Sequence, residues 1–149
     1  MKAYIDTIPF SIIFIAIFMF NGCVTKNFTH TNSAFIVFKT PNFKFADTSF
    51  VRYTKSSVTL ELYEASNAVT SLEISEKNIC QSEFKCMSAK EFNRRYLHTS
   101  YPDNTLYRIV TGSKLPKTLQ KDGIVYDVDT QTIRFSDKKN SILIKIRKL

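Results

Sequence analysis

Chemistry in this chain could start from three cysteines, two histidines and two carboxylate pairs, because little else in it is reactive. Cys80 and Cys86 bracket the stretch Cys80-Gln81-Ser82-Glu83-Phe84-Lys85-Cys86, which reads as two short strand ends around a polar tip at Ser82–Phe84. A three-residue tip sets the two cysteines opposite each other across a hairpin, which suits a disulfide. A redox pair would want Cys-x-x-Cys, and a zinc site would want four ligands. Only His30 and His98 could join as ligands, and neither has finger-like spacing. The spacing therefore points to a structural clip, with no metal and no cofactor. Asp127/Asp129 and Glu61/Glu73 could be imagined as acid and base. Their places in the pattern fit a turn flank and a solvent-facing strand face instead. Neither Gly-x-Ser-x-Gly nor His-Glu-x-x-His occurs, and three glycines leave no phosphate-cradling loop. No catalytic residue is expected, and the chain reads as a non-enzyme.

Cys23 stands apart from the other two. Lys2 gives a small positive start, an apolar run follows from Ile8 to Phe20, and Gly22-Cys23 comes next. As a helix that run spans about 20 Å, short of the roughly 30 Å hydrocarbon core, so it reads as an export signal. The order resembles a bacterial lipoprotein signal, whose lipobox ends in a small residue followed by the Cys that becomes diacylated. The resemblance implies that residues 1–22 are a signal peptide and that a lipid on Cys23 is the link to the membrane. An uncleaved helix holding the same domain to the same membrane is the other reading. Either places the domain outside the cytoplasm and beside a bilayer. Val24 after the Cys implies, under the usual sorting rule, release to the outer membrane, facing the periplasm.

Composition agrees with that compartment. With Cys23 spent on lipid, Cys80 and Cys86 remain as an even pair in an oxidising space. The net charge is +8, and loss of Lys2 and Asp6 together would leave it unchanged. Nucleic acid is not a partner for an exported chain. The charge would instead draw the protein toward anionic headgroups or acidic partners, more weakly as salt rises. The densest basic stretch is Lys138, Lys139, Lys145, Arg147 and Lys148, which is either diffusely solvated or a membrane-facing patch.

The elements that position these residues follow from periodicity. Residues 23–32 read as the lipidated Cys and a flexible tether, and 33–149 as a single domain. Ala34–Phe38 is an apolar run, Phe43 and Phe45 alternate with polar neighbours, and Ala46-Asp47-Thr48-Ser49 looks like a turn. Val58, Leu60 and Leu62 share one strand face, and Leu72 and Ile74 repeat the alternation. The period changes at Ser88-Ala89-Lys90-Glu91, a capping box, with Phe92 and Tyr96 one turn apart on a helix of about ten residues. Pro102-Asp103 opens a second short helix with the stripe Leu106, Ile109, Val110 and a stop at Gly112. Strands return at Ile124–Val128, Ile133–Phe135 and Ile142–Ile146, with a hairpin at Asp137–Asn140. The expected fold is α+β: a curved antiparallel sheet, or incomplete barrel, with two short helices packed on one side.

Three stretches carry a family resemblance. They are Phe45–Phe50, then Leu106–Pro116, and then Gly123–Val128 with Thr132–Phe135 and Ile142–Ile146. In that order, behind a lipobox, they resemble the outer-membrane lipoprotein receptor of the Lol sorting pathway, the LolB-like family. The resemblance implies an incomplete barrel with helices as a lid over an apolar cavity that accepts acyl chains or lipoproteins. Phe43, Phe45, Val58, Leu60, Leu62 and Leu72 are the expected cavity wall on the sheet, continued by Ile74 and Ile144. Phe92, Leu106 and Ile109 face them from the helices. The chain is shorter than a usual member. Its connection Glu64–Ala68 also lacks the large apolar residue with which the receptor inserts cargo. The same aromatics would equally make a filled core, and the domain would then be a structural or scaffold lipoprotein with an envelope protein as partner.

Overall fold

The computed structural model describes residues 26–64, 67–82 and 85–149. The signal segment, Cys23, residues 65–66 of the Glu64–Ala68 connection and tip residues 83–84 lie outside the described residues. Nine strands follow in chain order: β1 (His30–Lys39), β2 (Lys44–Tyr53), β3 (Ser57–Glu64), β4 (Asn67–Ser75), β5 (Asn78–Gln81), β6 (Lys85–Ser88), β7 (Ile124–Val128), β8 (Thr132–Asp137) and β9 (Ile142–Lys148). Two helices, α1 (Ala89–Tyr96) and α2 (Thr105–Thr111), fall between β6 and β7. All strands pair antiparallel in the order β6-β5-β4-β3-β2-β1-β9-β8-β7. This is the α+β class expected, an open sheet with two short helices.

The period-two pattern gives the sheet one dry face. Ala34, Ile36 and Phe38 of β1 point the same way as Val51 of β2, Leu60 of β3, Ile74 of β4 and Ile144 of β9, and all are buried. The register lines them up across strands: Leu60 opposite Leu72, Val58 opposite Ile74, Phe38 opposite both Phe45 and Ile144. Helix α2 lays Leu106, Ile109 and Val110, each 0% exposed, against that face. Each such side chain stabilises by about 2 kcal/mol on burial. Gly112 ends α2 with φ 69°, the left-handed conformation a helix stop uses. A side chain there would also crowd Val128 at 3.2 Å.

Four expectations change. Ala46–Ser49 is not a turn but the middle of β2, paired with Val37–Ala34 of β1. Small polar residues mimic a turn in composition, yet the unbroken ladder with β1 overrides weak local preference. Residues 30–32 of the expected tether are strand: His30–Asn32 pair with Tyr53–Val51, and His30 stacks on Tyr53 with ring centroids 4.2 Å apart. The capping box is half made. Ser88 Oγ accepts from the Glu91 amide at 3.2 Å, but the Glu91 carboxylate turns outward to Arg94 and Arg95. The Arg94 hydrogen bond, then that of Arg95, holds Glu91 down to about 2. Helix α2 starts at Thr105 rather than at Pro102, whose carbonyl instead takes bonds from the Thr105 amide and hydroxyl.

A polar pin ties the helix connection to the sheet. Tyr101 is buried and its hydroxyl donates to Asp137 Oδ2 at 2.5 Å, while Asn140 Nδ2 donates to the same oxygen at 2.7 Å. Burial alone would raise the Asp137 pKa, but the hydrogen bonds from Tyr101 and Asn140 outweigh it and leave the carboxyl below its ordinary value. Burial and then the carboxylate push the Tyr101 phenol up.

Two stability measurements check these features. The β5–β6 register sets Cys80 opposite Cys86 and brings their sulfurs to bonding distance, as the spacing implied. Cys80→Ala should lower the unfolding free energy by about 2 kcal/mol, read from denaturant melts without reductant. An unchanged melt with two free thiols would rule the clip out. Tyr101→Phe should cost about 2 kcal/mol near neutral pH, since the bond it removes reaches a charged group. Asp137 has a depressed folded pKa, so its contribution is present above the ordinary carboxyl value of 3.8 and is lost as pH falls through the lower folded value. The gap between Tyr101→Phe and the parent should therefore close in acid, and a pH-independent gap would contradict the pin.

Candidate functional site

Helix α1 runs across the concave side of β4, β5 and β6 and is held at both ends. Ser88 caps its start, where the Ala89 amide also donates to the Lys77 carbonyl. Near its end Asn42 Nδ2 donates to the Arg95 carbonyl at 2.7 Å, tying α1 to the β1–β2 turn. Phe92 is its apolar anchor, 4% exposed, and packs on Tyr96 with centroids 4.8 Å apart. Between this helix and the sheet lies a cleft of about 40 Å³ bordered by Phe43, Leu72, Ile79, Met87, Phe92 and Tyr96, with Thr70 and Gln81 at its margin. Gln81 Nε2 donates to Thr70 Oγ1 at 3.3 Å at this margin, and the rest of the lining is apolar.

The expected cavity residues divide in two. Phe43, Leu72 and Phe92 border the cleft. Val58, Leu60, Leu62, Ile74, Leu106, Ile109 and Ile144 are packed core, none more than 2% exposed, and Phe45 is half-buried against them. Ile79, Met87 and Tyr96 complete the cleft and were not among the expected residues. Their signal was present: Ile79 and Met87 alternate out of phase with Cys80 and Cys86, and Tyr96 lies one turn beyond Phe92.

Larger hollows occur elsewhere on the surface. One of about 620 Å³ runs between the α2–β7 connection and β7, with Lys114, Gln120, Lys121 and Asp122 on its walls. Tyr126 closes its floor by donating to the carbonyls of Ser113 at 3.0 Å and Arg108 at 3.3 Å, and burial pushes its phenol up to about 12. Another, of about 220 Å³, surrounds the Tyr101–Asp137 pin and includes His98, whose ring is bonded to Ser100 at 2.8 Å.

The imagined acid–base pairs resolve into structural roles. Asp129 accepts from the Gln131 and Thr132 amides in the β7–β8 turn, and Asp127 is exposed on β7. Glu61 and Glu73 sit on the convex face, bound to Arg52 and Lys26 respectively. Burial raises Glu73, but the Lys26 and Ser57 hydrogen bonds outweigh it and hold the carboxyl below its ordinary value. Among the described residues no three His, Cys, Asp or Glu side chains converge as a metal cluster would need, and no helix is long and apolar enough to cross a membrane. Cys23 lies outside the described residues. The chain matches no known protein family, no curated protein and no solved structure.

Proposed function

We propose that this chain is a lipid-anchored, non-catalytic protein of the bacterial envelope that receives an acyl chain, free or carried by a lipoprotein, in the cleft beneath α1. The observation that carries the reading is the lining of that cleft: aromatic, aliphatic and methionine side chains between a sheet and a short helix, with polar groups only at Thr70 and Gln81. Such surfaces hold hydrocarbon at about 0.8 kcal/mol per buried methylene, and a methionine adapts its shape to what arrives. Ligand pockets usually measure about 300–1,000 Å³. At about 40 Å³ the cleft is too small for an acyl chain as it stands, so uptake requires α1 to lift from β5 and β6. Lipoprotein sorting to the outer membrane is the role the family resemblance suggests for such a cleft.

One observation favours a second reading. Leu60, Leu62, Ile74, Leu106, Ile109 and Ile144 are 0% exposed and fill the centre of the domain. A filled interior suits a scaffold that works by its surface on an envelope protein partner.

Native mass spectrometry of the full-length protein extracted from membranes separates the two readings. The carrier reading expects an acyl-chain adduct that Met87→Glu abolishes and Met87→Leu keeps, because Met87 is half-buried at the cleft and its replacement leaves the packed core intact. A clean mass that stays clean after incubation with excess lipopeptide would leave the scaffold. The anchor has its own test. Cys23→Ser should end palmitate labelling and shift the protein from the membrane to the soluble fraction, whereas retention on the membrane would favour an uncleaved helix.

A further inference from the structure

The two halves of the convex face carry their charge differently. On β2, β3 and β4 two outward carboxylates are matched: Glu61 meets Arg52 at 2.9 Å and Glu73 holds Lys26. Besides Arg52, the outward positions of β2, β1, β9 and β8 carry five cations and no carboxylate. Lys39 faces Lys44 across β1–β2, Arg134 faces Lys145 across β8–β9, and Arg147 lies beside Phe35 with its guanidinium 5.9 Å from the ring centroid. Among the described residues none of the five makes an ion pair. Asp127 of β7 meets Arg134 only at the far margin. Two like-charge pairs set directly opposite each other cost the sheet stability. Among the described residues no ion pair to these cations offsets that cost. Between the cations lie Phe35, Val37 and Leu143, half-buried rather than withdrawn.

A second observation says what meets this face. The chain enters the described structure on the same side, with Lys26 bound to Glu73 of β4 and Phe28 under Arg52 at 5.1 Å. Cys23 is three residues from Lys26, a reach of about 10 Å at most. From β4 the cation rows begin two strands away, about 10 Å, and end about 24 Å away at β8. A lipid on Cys23 therefore brings the bilayer to the convex face.

We propose that the convex rows of β2, β1, β9 and β8 dock on anionic phospholipid headgroups, turning the concave side and its cleft away from the membrane. The orientation rests on the anchor proposed at Cys23, and the charge pattern does not. Lys39, Lys44, Arg134, Lys145 and Arg147 meet the phosphates while Phe35 and Val37 settle among the headgroups. The anchor fixes the distance and the cations fix the face.

The chain has no tryptophan, so one introduced indole reports alone. Full-length Phe35→Trp is mixed with vesicles of brominated phosphatidylglycerol and phosphatidylcholine, with Lys90→Trp, exposed on α1 and outside the cleft, as the opposite-face reporter. The Phe35→Trp indole should be quenched and the Lys90→Trp indole should not, so the two indoles must differ. Quenching should weaken as salt rises from about 0.1 M to about 1 M, where the Debye length falls from ~10 Å to ~3 Å. Each cation near an anionic surface contributes about fivefold to binding, so adding Arg134→Glu and Lys145→Glu should lose most of the signal. Lys39→Glu with Lys44→Glu should do the same, which guards against a folding defect in one pair. Equal quenching of the two indoles, or quenching indifferent to salt and charge reversal, overturns the proposal. Flotation of the protein with the vesicles is read separately. A chain that fails to float yet shows the salt-sensitive quenching keeps the face and removes the anchor.

Discussion

The ladder between β1 and β9 joins residues 34–39 to residues 143–148 and makes one sheet out of two smaller ones. Without it, β1 to β6 and β7 to β9 would each present a bare apolar edge and half a dry face. With it, Phe38 lies between Phe45 and Ile144, and Ile36 beside Ile146, so both sets of strands share one core. The helices then have a surface wide enough to bury Leu106, Ile109 and Val110 completely. The pin between Tyr101 and Asp137 depends on the same ladder, because Asp137 ends the strand that β9 holds in place.

What the sequence makes legible is what has a period. Val58, Leu60 and Leu62, Leu72 and Ile74, and Ile142, Ile144 and Ile146 alternate strictly, and each set lies on the concave face. The clip was legible for the same reason, since equal counts on either side of a short tip leave Cys80 and Cys86 opposite each other. Segments governed by partners rather than by their own composition were not. Ala46–Ser49 looks like a turn in isolation and becomes strand because β1 runs beside it. His30 looks like tether and becomes strand because Tyr53 offers it a ring and a ladder. The candidate site was legible only in part. Whether aromatic side chains meet across a sheet or stand apart is a matter of volume, and alternation carries no information on volume. Hence Phe43, Leu72 and Phe92 border the cleft while Leu60 and Leu106, identical in pattern, are simply packed.

The outward face of the same strands shows a parallel effect. Lys145 and Arg147 are out of phase with Ile144 and Ile146, so burial of the isoleucines compels the cations onto the convex side. Arg134 is placed likewise by Ile133 and Phe135. Packing alone would accept any polar residue at these positions. That they are cations, unmatched within the described residues, is a property of the surface rather than of the fold. Glu61 of β3 and Glu73 of β4, each bound to a cation, show that the same sheet can neutralise its charges.

The place of β9 in the sheet also bears on how the chain acquires its structure. The strand latest in the sequence lies in the sheet interior, between β1 and β8, and not at an edge. Pairings between segments so far apart in sequence form late, because the loop they close is costly before any contact rewards it. Strands β1 to β6 can therefore begin a meander before β9 is available, but the core stays open until β9 joins β1 and β8. Final compaction of the sheet is thus gated by a strand that most of the chain has to precede.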